Sequence, residues 1–206
     1  MSYCNWDTAS GVTRRYHDKE WGVPVHDDVK QFEFLMMEVM QCGLSWDIVM
    51  KKREIFRQCF AHFDYDKVAA FTEDDVARIM QVPGMIRSPR KIRAVIQNAR
   101  AFQKISEEFG SFSAYLWHYS DNKTILYHKH ADGYIPVSNG LSTKISKDLK
   151  KRGFSYLGSV FIYSHLQAAG IINDHDRNCP RYHELISKYP TVKKRCYLEN
   201  KISYYG

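Results

Sequence analysis

Apolar residues recur at helical spacing along most of the chain. In 28–42 (DVKQFEFLMMEVMQC), Phe32, Leu35, Met36, Val39 and Met40 fall on one face of a helix. Asp28 stands where a cap for that helix is expected. Glu38 lies inside this mainly apolar stretch. A second helix is expected from Ser45 through WDIVMKKREIFRQCF. The run FDYDKVAAFTEDDVARIM predicts two short helices, the second capped by Thr72 with Asp75 three residues on. Pro83-Gly84 breaks the pattern, and Arg90–Lys104 resumes it with Ile92, Val95, Ile96 and Ala99 on one face. Residues 111–118 predict a short helix. Residues 119–141 lack a helical period, carry Gly133, Pro136 and Gly140, and predict a long loop. Ser142–Lys151 predicts a basic helix, Gly153–Gly158 a turn, and Ser159–Ala169 a further helix. Strand signals are few and short. The pattern predicts an all-α fold.

A chain of 206 residues can build one core or two small lobes. The expected organisation is one domain over residues 1–182, with a basic, tyrosine-rich extension over 183–206. No apolar run has membrane-spanning length, and the first residues (MSYCNWDTAS) show no signal-peptide pattern. The expected location is therefore cytoplasmic, with no membrane partner. Five cysteines at irregular spacing argue against a secreted disulfide framework. A net charge of +7 points to a polyanionic partner, nucleic acid first. Aromatic residues make up 14% of the chain, so bases have rings to stack on.

Four residues at the two ends form a candidate metal set. His175 and Cys179 are four apart, which on one helical turn would face them the same way. Cys4 and His17 enclose twelve residues, enough to loop out and return. Together they make a Cys2His2 set, a common closed shell for zinc. Spacing alone equally allows two unrelated His/Cys pairs.

Several blocks then follow in order. Tyr16-His17-Asp18-x-Glu20-Trp21-Gly22-Val23-Pro24 comes first, then Glu38 with Gly43-Leu44-Ser45-Trp46. Lys51-Lys52-Arg53, Leu149-Lys150-Lys151-Arg152-Gly153-Phe154 and Gln167-Ala168-Ala169-Gly170 come next. Asn173-Asp174-His175 and Cys179 close the series. From Cys4 to about Cys179 the chain closely resembles the 3-methyladenine DNA glycosylase I family. The resemblance implies an all-helical member of the helix-hairpin-helix glycosylase superfamily, with one structural zinc held by Cys4, His17, His175 and Cys179. It implies a monofunctional hydrolase, acting as a monomer on double-stranded alkylated DNA. Such an enzyme flips out 3-methyladenine, with 3-methylguanine as an alternative substrate, and cleaves its N-glycosidic bond.

The residue types suit that chemistry. A flipped base needs flat apolar walls and a few polar groups for its edges. Trp6, Tyr16, Trp21 and Trp46 are the candidate walls, Ser164 is a candidate hydroxyl, and Glu38 is the candidate reader. An N3-alkylated adenine carries positive charge, so a carboxylate favours it over neutral adenine. Gly43 and Leu44 are placed to wedge into the gap left by the base. Lys150, Lys151, Arg152, Gly153 and Gly158 are the candidate phosphate contacts of a helix-hairpin-helix. The chain departs from the family pattern at Thr13, where a pocket tyrosine is common, and at Cys42, where alanine is usual. Residues 39–40 read Val-Met. Two other classes fit the same residues: a catalytically silent lesion binder, and a zinc-stabilised nucleic-acid module without a base pocket.

Overall fold

The computed structural model describes Cys4 and residues 11–195. These are mostly helical: α1 (Gly11–Lys19), α2 (Asp28–Gln41), α3 (Trp46–Lys51), α4 (Arg53–Cys59), α5 (Tyr65–Ala69), α6 (Glu73–Gln81), α7 (Pro89–Phe109) and α8 (Phe112–His118). Then follow β1 (Thr124–Tyr127), α9 (Gly140–Lys151), α10 (Ser159–Ala168), α11 (Pro180–Lys188) and β2 (Thr191–Lys194).

The structure alters the sequence expectations in four places. The helix after Ser45 is two, because Lys52 at φ −100°, ψ 0° separates α3 from α4. The cap of α2 is Asp27, whose carboxylate accepts from the Lys30 N–H at 2.8 Å. Asp28 instead accepts from the Phe112 and Ser113 N–H groups, at 2.9 and 2.8 Å, at the start of α8. The expected loop 119–141 holds β1 and a short 3-10 turn, His130–Asp132. β1 pairs in parallel with β2, from Thr124 opposite Thr191 to Tyr127 opposite Lys194, and Ile125 bridges Ile172. A four-residue strand whose partners lie far along the chain leaves no local period or hairpin signal. α1 escaped notice because its buried face is Thr13, Tyr16 and His17, largely polar in type.

The chain divides into two compact units. One comprises Val25–Leu116 with Leu149–Leu157. Its spine is α7, which packs against α5, α2 and α6. Phe102 stacks on Phe112 at 4.1 Å and meets Phe32 edge-on at 5.2 Å. Asn98, fully buried on α7, clamps the turn after α9: its Nδ2 donates to the Ser155 carbonyl at 3.1 Å, and its Oδ1 accepts from the Ser155 N–H at 2.8 Å. Such a two-sided amide bond reproduces what a neighbouring strand would offer.

The other unit takes its described residues from Met1–Pro24, Trp117–Asp148 and Gly158–Gly206. α11 and β2 belong to it, so the chain after residue 182 continues as a helix and a paired strand through Lys194. Gly170 has φ +74°, and a Cβ there would lie 2.5 Å from the Pro24 nitrogen. Only glycine lets these two backbones approach so closely.

Asp28→Ala should cost about 1–3 kcal/mol of stability, since two buried-end N–H groups of α8 lose a charged acceptor. Urea unfolding at neutral pH measures it.

Candidate functional site

The two ends of the chain converge on one cluster. The ligand atoms of Cys4, His17, His175 and Cys179 all lie within 4.8 Å of one another, with both histidines and Cys179 buried. The separations are 3.6 Å from Cys4 Sγ to His175 Nδ1, 3.6 Å from Cys179 Sγ to the same nitrogen, and 3.9 Å from Cys179 Sγ to His17 Nε2. A tetrahedral ion with metal–sulfur near 2.3 Å and metal–nitrogen near 2.0 Å spaces its ligands about 3.4–3.8 Å apart. The two shortest separations match that spacing, and the full spread of 4.8 Å would have to contract by about 1 Å to close on such an ion. His175 and Cys179 do not share a helical turn as their spacing suggested. They sit on a turn ahead of α11, closed by the Cys179 N–H on the Asp176 carbonyl at 2.8 Å, and Cys179 is the residue preceding that helix.

The surroundings orient these ligands. His17 Nδ1 lies 2.8 Å from Asp18 Oδ1, and His175 Nε2 lies 3.1 Å from the Trp21 carbonyl. A hydrogen bond at the far ring nitrogen fixes which nitrogen faces a metal. The Cys4 N–H donates to Asp176 Oδ2 at 2.6 Å, and the Asp176 N–H reaches Cys4 Sγ at 3.2 Å. Burial pushes the His175 imidazole down to about 4, although the Trp21 carbonyl opposes this, so the ring is held in its neutral, ligating form. Burial likewise pushes the Cys4 thiol up. A cation among the four groups would reverse that penalty, because a coordinated thiol ionises. Asp18 and Asp176 were missed in the sequence, and their only signal there is adjacency to His17 and His175. Gly22 (φ +80°) is needed beside the cluster, since a Cβ would stand 3.0 Å from His175 Nε2.

Helix α2 carries two buried carboxylates with opposite environments. Burial pushes Glu33 up, but hydrogen bonds from Arg53 (2.9 and 3.0 Å) and Arg57 (2.7 Å) overcome it and bring the group down to about 2. Glu38, only 3% exposed, has no such partner among the described residues: its Oε2 is buried there without a hydrogen bond, and burial pushes it up to about 8. A buried polar atom left unsatisfied costs about 1–3 kcal/mol, more when charged. Unpartnered buried carboxylates of this kind mark functional sites.

After α2 the chain turns at Gly43, exposed with φ +77° and open space where a Cβ would stand. Half-buried Leu44 follows, and Ser45 caps α3 by accepting from the Ile48 N–H at 3.4 Å. Trp46 opens α3, half-buried. The unit thus gathers Glu38, Gly43, Leu44 and Trp46 on α2, its exit turn and α3.

Tyr16, Trp21 and Ser164 belong to the other unit. Tyr16 is buried on α1, one residue before His17. Trp21 meets the His175 ring edge-on at 4.5 Å and stacks on His17 at 5.8 Å, so it walls the Cys/His cluster. Ser164 is half-buried on α10. Trp6 lies outside the described residues. At the turn between α9 and α10, Gly153 has φ +97°, and Gly158 precedes α10 with open space around it. Lys150 and Lys151 are exposed. Arg152 differs from them: it pairs with Glu108 at 2.6 Å and lies over Phe109 and Tyr115.

A family model described as methyladenine glycosylase matches residues 6–182. The chain is 42% identical over 182 residues to DNA-3-methyladenine glycosylase 1 of Escherichia coli strain K12, covering 88% of this chain and 97% of that protein. It is 37% identical over 177 residues to the DNA-3-methyladenine glycosylase of Haemophilus influenzae, covering 86% and 96%. The chain belongs to the methyladenine glycosylase family. Its fold agrees: a solved structure of a 3-methyladenine DNA glycosylase I variant in complex with 3-methyladenine superposes with a TM-score of 0.82 at 36% identity, covering 87% of this chain and 97% of that one. Family membership accounts for the helical architecture and leaves β2 beyond the matched residues. None of the helices described is long and apolar enough to cross a membrane.

The raised Glu38 carboxyl has a consequence for stability. Unfolded, it ionises near the ordinary value of about 4.3, and folded near 8. The native state is therefore unpenalised below pH 4 and loses stability between about pH 4 and pH 8 as the unfolded chain releases the proton first. Glu38→Gln should remove that loss, raising stability at pH 8 by on the order of a few kcal/mol relative to pH 4. Denaturant titrations of both proteins across this range measure it, and parallel pH profiles would show that Glu38 ionises as if solvated.

Proposed function

We propose that the chain is a DNA glycosylase that removes 3-methyladenine from alkylated double-stranded DNA in base excision repair. The observation that carries this reading is Glu38, a buried carboxylate without a partner on α2, in a chain that belongs to this family. A buried, proton-retaining carboxyl favours an incoming cationic, N3-alkylated base by regaining its charge against the ligand's. It also accepts hydrogen bonds from the base's exocyclic amine. Neutral adenine offers no such compensation. Trp46, Tyr16, Trp21 and Trp6 are proposed as the walls around that base, with Ser164 as a hydroxyl at its edge.

The reaction needs little from the protein beyond this. The alkylated base leaves with the electrons of the N-glycosidic bond, which neutralises its positive charge. Water adds its hydroxyl to the sugar C1′ and releases a proton, leaving an abasic site. No lysine takes part as a nucleophile, so no strand cleavage follows. Leu44 is proposed to fill the gap in the stack, with Gly43 allowing the close approach. The turn between α9 and α10 is proposed to hold a phosphate, with the first N–H groups of α10 after Gly158, the turn at Gly153 and the exposed Lys150 and Lys151. Arg152 is a weaker candidate, since Glu108 already satisfies it.

The metal of the Cys4, His17, His175 and Cys179 cluster is proposed to be zinc, one per chain, in a structural role. Four protein ligands leave no position for an activated water. Metal analysis should return about one zinc per chain, and Cys4→Ser should lower thermal stability far more than it lowers turnover of the remaining folded enzyme.

Incubation with methylated duplex DNA should release free 3-methyladenine, read by chromatography. Glu38→Gln should reduce that release by about 100-fold or more, in proportion to the loss of one preorganised charge in a desolvated site. Binding of methylated DNA without release by the wild-type protein would favour the silent lesion binder. Replacing Lys150 and Lys151 together by Gln should weaken binding to undamaged duplex equally for all sequences and flatten the log–log salt dependence by about one unit per lost phosphate contact.

A further inference from the structure

The carbonyls at the end of α2 are satisfied in an unusual way. The Val39 carbonyl accepts from the Cys42 N–H at 3.4 Å, and the Gln41 carbonyl from the Leu44 N–H at 2.6 Å. The two between and after them, Met40 and Cys42, both accept from a single ammonium, Lys91 Nζ, at 2.8 and 2.6 Å. Lys91 is only 9% exposed and comes from the first turn of α7, some fifty residues along the chain. Burial pulls its affinity for a proton down, and among the described residues no carboxylate faces it. A lysine is seldom buried without an anionic partner, because desolvating the ammonium is costly. The compensation here is the negative end of a helix: four successive carbonyls at a C-terminus carry the partial negative charge of the macrodipole. Gly43, at φ +77°, then reverses the chain directly into Leu44 and Trp46.

We infer that Lys91 is a positioning residue for strand separation: it locks the Cys42-Gly43-Leu44 turn so that Leu44 enters the duplex as a rigid wedge. This rests on the wedge role proposed for Leu44. A turn carrying a wedge must resist being pushed back when bases restack against it. An exposed turn at a helix end, with a glycine at its apex, has little stiffness of its own. One buried cation bonded to carbonyls on both sides of the helix terminus supplies that stiffness from α7. The sequence block alone would not reveal it, since Lys91 reads there as one more basic residue on an exposed helix face.

The wedge matters only where a stack must be held open, so duplex and single-stranded substrates separate positioning from folding or pocket effects. The test measures release of 3-methyladenine from the same methylated oligonucleotide, single-stranded and annealed, by wild type, Lys91→Gln, Leu44→Ala and the double variant. Lys91→Gln and Leu44→Ala are each expected to lower duplex excision by about tenfold or more, as misplacing a group by about 1 Å can. Lys91→Gln should leave single-strand excision within about twofold of wild type. Because the two residues act through one turn, the double variant should be no worse than Leu44→Ala alone. Lys91→Arg, which keeps the charge and the donors, should recover much of the duplex activity. Multiplied losses in the double variant, or equal losses on both substrates, would overturn the inference. Should Lys91→Gln fail to fold, Lys91→Arg against the Leu44→Ala background decides: a defect in the arginine variant that vanishes when Leu44 is absent supports coupling, and one that persists refutes it. Wild-type release from single strands checks the glycosylase activity independently of the wedge.

Discussion

The tightest constraint in this chain is the meeting of Cys4, His17, His175 and Cys179 with their ligand atoms within 4.8 Å of one another. It gathers Cys4, α1 and the turn ahead of α11 at one point. A metal bound there would close a very long loop and remove much of the unfolded chain's freedom. The convergence also explains otherwise costly local choices. Gly22 must lack a side chain because His175 occupies the space. Asp18 and Asp176 stand beside the ligands because their hydrogen bonds orient the rings and the Cys4 backbone. Trp21 spends its ring on His17 and His175 and its carbonyl on His175.

In the other unit, α2 concentrates buried charge. Glu33 shows how this fold treats a carboxylate that serves stability: two arginines and a lysine surround it, and it stays ionised. Glu38, five residues further on, receives none of this and retains its proton at neutral pH. The same helix therefore solves the problem of a buried acid once and leaves it unsolved once. Stability alone does not select the second arrangement, since an apolar residue of similar volume would cost less. A cationic ligand would supply the missing partner, as proposed for the alkylated base. The end of the same helix inverts the sign, with Lys91 buried against carbonyls. Among the described residues, α2 thus carries an acid without a base at Glu38 and, at its end, receives from α7 a base without an acid.

The turn after α9 is held by similar means. Asn98 bonds both backbone groups of Ser155, and Gln97 Nε2 reaches the Gly153 carbonyl at 2.6 Å. The turn's shape therefore comes from α7 together with its own N–H groups at Gly153 and Phe154, which bond the Lys150 and Leu149 carbonyls at 3.1 and 3.0 Å. Gly158 has an ordinary φ of −67° and nothing near it, so neither conformation nor crowding demands glycine there.

The sequence by itself determined most of the helices and the family. Periodicity in α6, α7 and α9 is strong because each buries one face, α2 is apolar enough to be buried on every side from Gln31 to Met40, and caps such as Thr72 with Asp75 act within four residues of chain. The meeting of the Cys/His set was legible only through the ordered family motifs around it, because spacing alone reads as two unrelated pairs, and Glu38 stood out for the same reason, because a glutamate in such a helix ordinarily lies on the wet face. What tertiary structure decided was every feature whose partner lies far along the chain. β1 exists only because β2 and Ile172 return to it. Asp28 looks like a helix cap and serves a different helix, because Phe112 and Ser113 come to it after eighty-odd residues. Arg152 looks like a phosphate contact and is held by Glu108. Lys91 looks like a surface charge and closes α2. Local propensity is a short-range energy and is written in neighbouring residues. The value of a charge depends on burial and on what faces it, and only the folded chain sets those.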